Sequence, residues 1–181
     1  MKKMLFAIIL LLLFSFSSYA QPGQNKISFG IKGGYNHTVI NGLETNGGKT
    51  GFIGNSIYGS LFGEMRVGEN KFVGAELLYS WVNDWNFIEI PVHFREMLNK
   101  QISIFAGPKL DVAADRFDST KESKSRLIGL SAEAGGQYDL MRHLFAEVRY
   151  SVGISRSFND PFFDINNARR NNFRLGIGYR F

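Results

Sequence analysis

The segment Phe173-Arg174-Leu175-Gly176-Ile177-Gly178-Tyr179-Arg180-Phe181 decides the fold. Phe173, Leu175, Ile177, Tyr179 and Phe181 alternate with Arg174, Gly176, Gly178 and Arg180. Successive side chains of a strand point to opposite faces, so this is a strand with one wholly apolar face and one small or cationic face. Upstream, Leu144, Ala146, Val148, Tyr150, Val152 and Ile154 alternate with Phe145, Glu147, Arg149, Ser151 and Gly153. Each run is close to the length of about ten residues that a tilted strand needs to cross a bilayer.

Six segments nearer the N-terminus follow the same rule. Ile27, Phe29, Ile31 and Tyr35 oppose Ser28, Gly30, Lys32 and Gly34. Ile53, Ile57, Leu61, Met65 and Val67 oppose Gly54, Ser56, Tyr58, Ser60, Phe62, Glu64 and Arg66. Val73 to Trp81 sets Glu76 on its polar face, and Ile88 to Phe94 sets Glu89, Pro91 and His93 there. Ile102 to Val112 sets Lys109 and Asp111 on that face, and Leu127 to Tyr138 sets Glu133 there. Eight strands is an even number, which places both chain ends on one side. The connections Gly68 to Asn70, Met97 to Lys100 and Asp139 to His143 are short. Those over Asn36 to Thr50, Ala113 to Ser125 and Arg156 to Asn171 are long, while Val82 to Asn86 is short. Short turns on one rim and longer loops on the other are the asymmetry of a transmembrane barrel.

The composition fits. The chain has 181 residues, 20 Gly, 4 Pro, no Cys and a mean hydropathy of -0.11. Absence of Cys excludes a disulfide scaffold, a Cys-ligated zinc site and a Cys nucleophile. Lys2 and Lys3 precede the apolar run Met4 to Phe16, which ends in Ser17-Ser18-Tyr19-Ala20. This reads as a secretory signal peptide over 1–20, cleaved after Ala20, ahead of a single β-barrel domain over 21–181. No long apolar run follows it, so a helical span is ruled out for the rest of the chain; a β-barrel span is not.

Alternation alone does not say which face is the core, because lipocalin-like barrels and β-sandwiches alternate too. The polar faces decide it. They carry Gly30, Gly34, Gly74, Gly107, Gly129, Gly135, Gly153, Gly176 and Gly178 among charges. A surface in water has no need of so many glycines, whereas the inside of a narrow eight-stranded barrel barely has room for side chains. The expected fold is therefore an all-β, eight-stranded antiparallel up-and-down transmembrane β-barrel. Its interior then holds the acids Glu64, Glu76, Glu89, Asp111, Glu133 and Glu147, the bases Lys32, Arg66, Lys109, Arg149, Arg174 and Arg180, and His93. An unpaired buried charge is expensive, so this balanced set is expected to pair and fill the lumen rather than line a pore. Tyr35, Tyr79, Trp81, Phe94, Tyr138 and Tyr179 fall near strand ends on the apolar face, as interfacial girdles do.

Three stretches carry a resemblance to a known family. They are Phe29-Gly30-Ile31-Lys32-Gly33-Gly34-Tyr35-Asn36, then Ile88-Glu89-Ile90-Pro91-Val92 with Phe105-Ala106-Gly107-Pro108, and the closing strand from Phe173 to Phe181. With the signal peptide they resemble the porin-like outer-membrane β-barrel domain family of Gram-negative envelopes. The resemblance implies residence in the outer membrane, contact with its lipid and lipopolysaccharide, and recognition of Phe173, Leu175, Ile177, Tyr179 and Phe181 by the barrel assembly machinery. It does not establish transport.

The chemistry-bearing residues are sparse. The histidines are His37, His93 and His143. A barrel enzyme acting on lipid A would need a His with a Ser and an acid, and His37 with Ser157 and Asp160 or Asp164 is the available set. Nothing in the spacing requires it, and the expectation is no catalytic, cofactor or metal site. Bases interleave with acids, so no nucleic-acid partner is expected despite a pI near 9.5. Arg156, Arg169, Arg170, Lys121, Lys124 and Arg126 fall near expected outer loops, where lipopolysaccharide phosphates are within reach. The segment Phe158 to Phe163 is an aromatic candidate contact surface. The expected function is a monomeric, non-enzymatic envelope protein with a structural or surface-binding role. A narrow porin and a lipid A-modifying enzyme are the alternatives.

Overall fold

The computed structural model describes residues 27–44, 47–82, 85–114, 128–155, 158–160 and 165–181. The strands are β1 (Ile27–Leu43), β2 (Lys49–Arg66), β3 (Lys71–Val82), β4 (Trp85–Met97), β5 (Ile102–Ala113), β6 (Ile128–Asp139), β7 (Leu144–Gly153), β8 (Phe158–Asp160) and β9 (Ile165–Arg180). Neighbours pair antiparallel from β1 to β7, β7 pairs with β9, and β9 pairs back with β1. This closes an eight-stranded barrel, with β8 an additional short strand against the start of β9.

The register sets the width. Stepping across the ladders from Ile27 leads through Met65, Val73, Phe94, Ala106, Ala134, Tyr150 and Phe173 and returns to β1 at His37, ten residues further on. Eight strands with that shear tilt by about 40° and form a cylinder of radius about 8 Å. Such a tube accommodates side chains and little else.

The two faces alternate as the period-2 reading requires. Ile53, Ile57 and Leu61 of β2 are 67%, 64% and 62% exposed, while Tyr58 and Phe62, in the opposite phase of the same strand, are buried. The interior glycines mark where large rings lie flat against the wall. A Cβ at Gly178 would overlap the Phe145 ring, and one at Gly135 would fall 2.5 Å from Cζ of Phe105. Phe62 and Phe145 meet edge to face at 5.8 Å.

The three turns at the rim of the chain ends share one hydrogen-bonding pattern. Val67 and Gly68 donate to the Lys71 carbonyl, Leu98 and Asn99 to that of Ile102, and Leu140 and Met141 to that of Leu144. At the opposite rim two expected loops are shorter than the sequence suggests. Strand β1 continues to Leu43 and β2 begins at Lys49, so most of 36–50 is strand. Likewise β8 and β9 occupy much of 156–171. The polar residues here do not mark loops: Asn36, Thr38 and Asn172 are buried inside the barrel, where strands need not be apolar.

The motif prolines locally interrupt ladders. The β3–β4 register passes from Ala75↔Val92 to Leu78↔Glu89 around Pro91, which has no N–H to give. The β4–β5 register passes from Pro91↔Lys109 to Phe94↔Ala106 around Pro108, and a Cβ on the adjacent Gly107 would run into the Val92 carbonyl.

Candidate functional site: the barrel interior

Inward-facing positions of all eight barrel strands bring their charges together in ion-paired layers. The upper layer, toward the rim opposite the chain ends, centres on Glu89. Arg174 Nη2 approaches both Glu89 carboxylate oxygens at 2.5 and 2.6 Å. Arg170 Nη1 and Lys109 Nζ reach the same carboxylate at 2.9 and 2.7 Å. Both cations also contact Asp111, at 3.1 and 3.0 Å, and the Ser131 hydroxyl donates to Asp111. Glu89, Lys109, Asp111, Arg170 and Arg174 all have 0% exposure. The Arg170 guanidinium stacks 3.8 Å above the Phe87 ring.

Arg149 organises the middle layer. It contacts Glu76 at 3.2 Å and Glu133 at 3.1 Å, and it pairs with Glu147 two positions along its own strand. Lys32 of β1 bridges Glu76 of β3 and Glu147 of β7 at 3.0 and 3.1 Å. The Tyr58 hydroxyl donates to Glu147 at 2.9 Å. His93 Nε2 lies 2.9 Å from Glu133, whose other oxygen takes Arg174 Nη1 at 3.3 Å and so joins the two layers.

The lower layer is looser. Arg95 grips Glu64 through Nε and Nη2 while stacking on Phe72. Arg180, 18% exposed, reaches Glu64 at 3.1 Å and Asp139 at 3.8 Å. Here a cavity of about 30 Å³ is lined by Lys32, Glu64, Glu76, His93, Arg95 and Gln137. It has room for about one or two waters.

Twelve of the thirteen interior residues expected from the sequence therefore meet in this network. Arg66 does not. It ends β2, is exposed at the rim, and donates to the carbonyls of Gly68 and Glu69. At the last rung of a strand an arginine reaches water and turn carbonyls at no desolvation cost, so nothing draws it inward. Its place is taken by Arg95, one residue past the segment assigned to that strand but in phase with Glu89, Pro91 and His93. Arg170 is a second correction: expected in an outer loop, it is fully buried. Its even-numbered phase with Arg174 was the available signal.

The candidate catalytic set is not assembled among the described residues. His37 faces outward, with Nδ1 2.7 Å from Asn55 Oδ1. Ser157 and Asp164 lie outside the described residues, as do Lys121, Lys124, Arg126, Arg156 and the latter part of the 158–163 segment. No group of three or more His, Asp or Glu able to hold a metal ion occurs among the described residues. In the lumen, Glu64, Glu76, Glu89, Asp111, Glu133 and Glu147 each face at least one cation within 3.3 Å.

Comparison with known proteins addresses the whole chain. A family model described as outer membrane protein beta-barrel domain matches residues 8–181. No curated protein matches. Among solved structures, neisserial surface protein A aligns at a TM-score of 0.55 and 13% identity, over 86% of this chain and 99% of that one. The attachment invasion locus protein Ail of Yersinia pestis, in complex with the heparin analogue sucrose octasulfate, aligns at 0.53 and 14% identity, over 86% and 99%. These likenesses concern the fold.

Proposed function

The chain belongs to the outer membrane protein beta-barrel domain family and resides in the outer membrane, and from that premise we propose a non-enzymatic envelope protein with a salt-bridged, non-conducting lumen. The observation that carries this reading is the upper layer: Arg170, Arg174 and Lys109 close on Glu89 and Asp111 with no exposure to solvent. A conducting pore of this kind would need a hydrated path lined by one sign of charge. Purified protein in planar bilayers is expected to give no steady current. A sustained open level would overturn the closed lumen and favour a narrow porin.

With the lumen filled, function falls to the surface: a structural or adhesive role carried by the rim opposite the chain ends. Adhesion has support by analogy from Ail, which shares the barrel and is named for attachment. Cells displaying the protein are expected to be retained on a sulfated-glycan surface more than cells lacking it; equal retention would leave the structural role. In this reading residues 1–20 are removed, and the mature chain acts as a monomer surrounded by outer-membrane lipid and lipopolysaccharide. The assembly machinery engages Phe173, Leu175, Ile177, Tyr179 and Phe181. The first four lie at alternate positions on the outward face of β9 and Phe181 follows it in phase, all exposed where a partner in the membrane can meet them.

A further inference from the structure

The upper part of the wall is a sheet with one covered edge and one bare edge. Strand β7 pairs with β9 only up to Ser151↔Asn172, and β3 pairs with β2 only up to Trp81↔Ile57. Above those rungs β9, β1 and β2 continue together, to Leu43↔Asn166 and Leu43↔Lys49. On the β9 flank the short strand β8 takes the place of β7, pairing at Phe158↔Ala168 and Asp160↔Ile165. On the β2 flank β3 ends at Val82, and among the described residues no strand pairs beside Lys49 to Ser56. That bare segment is about 25 Å long at about 3.3 Å per residue.

The phase of the ladder shows which groups face outward there. The Val67 N–H donates to the Lys71 carbonyl directly across the β2–β3 register, so odd-numbered residues of β2 bond toward β3. The Glu44 N–H donates to the Gly48 carbonyl across the β1–β2 register, which gives the even-numbered residues to β1. Lys49, Gly51, Ile53 and Asn55 therefore aim their N–H and C=O groups at the side where β3 has ended. All are exposed, Ile53 at 67%. Soluble and membrane sheets blunt such edges with proline, bulges or charge. Thr50 to Ser56 has no proline and no charge, and the β1–β2 register runs through it unbroken.

We propose that the bare edge of β2 binds an extended peptide segment of another protein by strand addition. The proposal rests on the surface-binding reading above, in which this rim faces outward, and names the partner class for it. Backbone donors and acceptors recurring every two residues, about 6.6 Å apart, are matched in spacing by another extended backbone. A second copy in the same membrane does not fit. Antiparallel edge pairing relates two copies by a twofold axis normal to the sheet, which would point one barrel the opposite way. The added strand runs antiparallel to β2, away from the membrane, and ends beside exposed Lys49. An acidic C-terminal end and an apolar side chain next to Ile53 suit it.

The test is fluorescence anisotropy of a labelled peptide of about eight residues, alternating valine and threonine and ending in glutamate, titrated with the purified, folded mature protein in detergent. Wild type is expected to bind it, and to bind at least about tenfold more weakly the same peptide N-methylated at every amide, which has no backbone donors. Ile53→Pro removes a donor aimed at the bare edge and none from the β1 ladder, so the barrel is expected to fold and binding to fall at least about tenfold. Ile53→Thr keeps that donor and is expected to stay within about threefold of wild type. Heat-modifiable gel mobility checks folding, and Gly51→Pro serves if Ile53→Pro does not fold. No binding by wild type, equal binding of the methylated peptide, or undiminished binding by a folded proline variant would overturn the edge site. The readout is on purified protein, so its failure is distinct from a failure of glycan retention by cells.

Discussion

Arg174 holds both carboxylate oxygens of Glu89, at 2.5 and 2.6 Å, from a position 85 residues away in the chain. Arg170, one pleat pair earlier on the same strand, reaches that carboxylate at 2.9 Å, and Lys109 completes the ring at 2.7 Å. One acid thus holds together three buried cations. Replacing Glu89 by Ala leaves Lys109 and Arg170 to share Asp111 and leaves Arg174 with Glu133, and breaking a buried pair in this way costs about 3–5 kcal/mol. Equilibrium urea titration of the protein folded into lipid vesicles is the measurement. A loss below about 1 kcal/mol would show that neighbouring groups or water replace the carboxylate.

Arg169 and Arg170 are adjacent in sequence and stand on opposite faces of β9. The same titration should separate them. Arg170→Ala removes the contacts to Glu89 and Asp111 and is expected to cost about 3 kcal/mol or more. Arg169→Ala, exposed on the outside, is expected to stay within about 0.5 kcal/mol of wild type. Reversed values would invert the assigned phase of β9.

Gly178 and Phe145 form a matched pair across the β7–β9 ladder. Gly178→Val forces a side chain into the Phe145 ring, a strain of about 1–3 kcal/mol or more. Phe145→Ala alone opens a hole worth about 3–5 kcal/mol. Combined, the two are expected to cost at least about 1 kcal/mol less than their sum, because each relieves the defect of the other. Strict additivity in a double-mutant cycle would show that the ring does not occupy the space the glycine leaves.

Phe181 is 70% exposed, and its backbone N–H donates to the Phe29 carbonyl at 2.9 Å. Phe181→Ala keeps that bond. Refolded in vitro, the variant is expected to lie within about 1 kcal/mol of wild type, the range for an exposed side chain. In cells its level in the outer-membrane fraction should fall several-fold, if assembly machinery reads the terminal ring. Equal cellular levels would remove Phe181 from the recognition signal.

The strands and their faces were legible because the period of 2 is a local property of extended backbone, and both faces had distinct chemistry from β1 to β9. Legibility failed at the ends of strands. Beyond Tyr35 and before Phe173 polar residues interrupt the alternation, yet Asn36, Thr38, Asn172 and Arg170 are buried. A barrel interior accepts polar residues, so hydropathy does not mark where such a strand stops. Arg66 failed in the opposite sense: its phase is inward, but its height at the rim lets it choose water.

The sequence by itself determined that eight strands each present a lipid-like face, and it determined which charges turn away from that face. Which acid meets which base was settled by tertiary structure alone. Pairs such as Glu89 with Arg174 and Glu76 with Arg149 are brought together by ladder register summed around the ring, a shear of ten residues. Register between strands depends on all the turns and ladders at once, and a single strand carries no record of it.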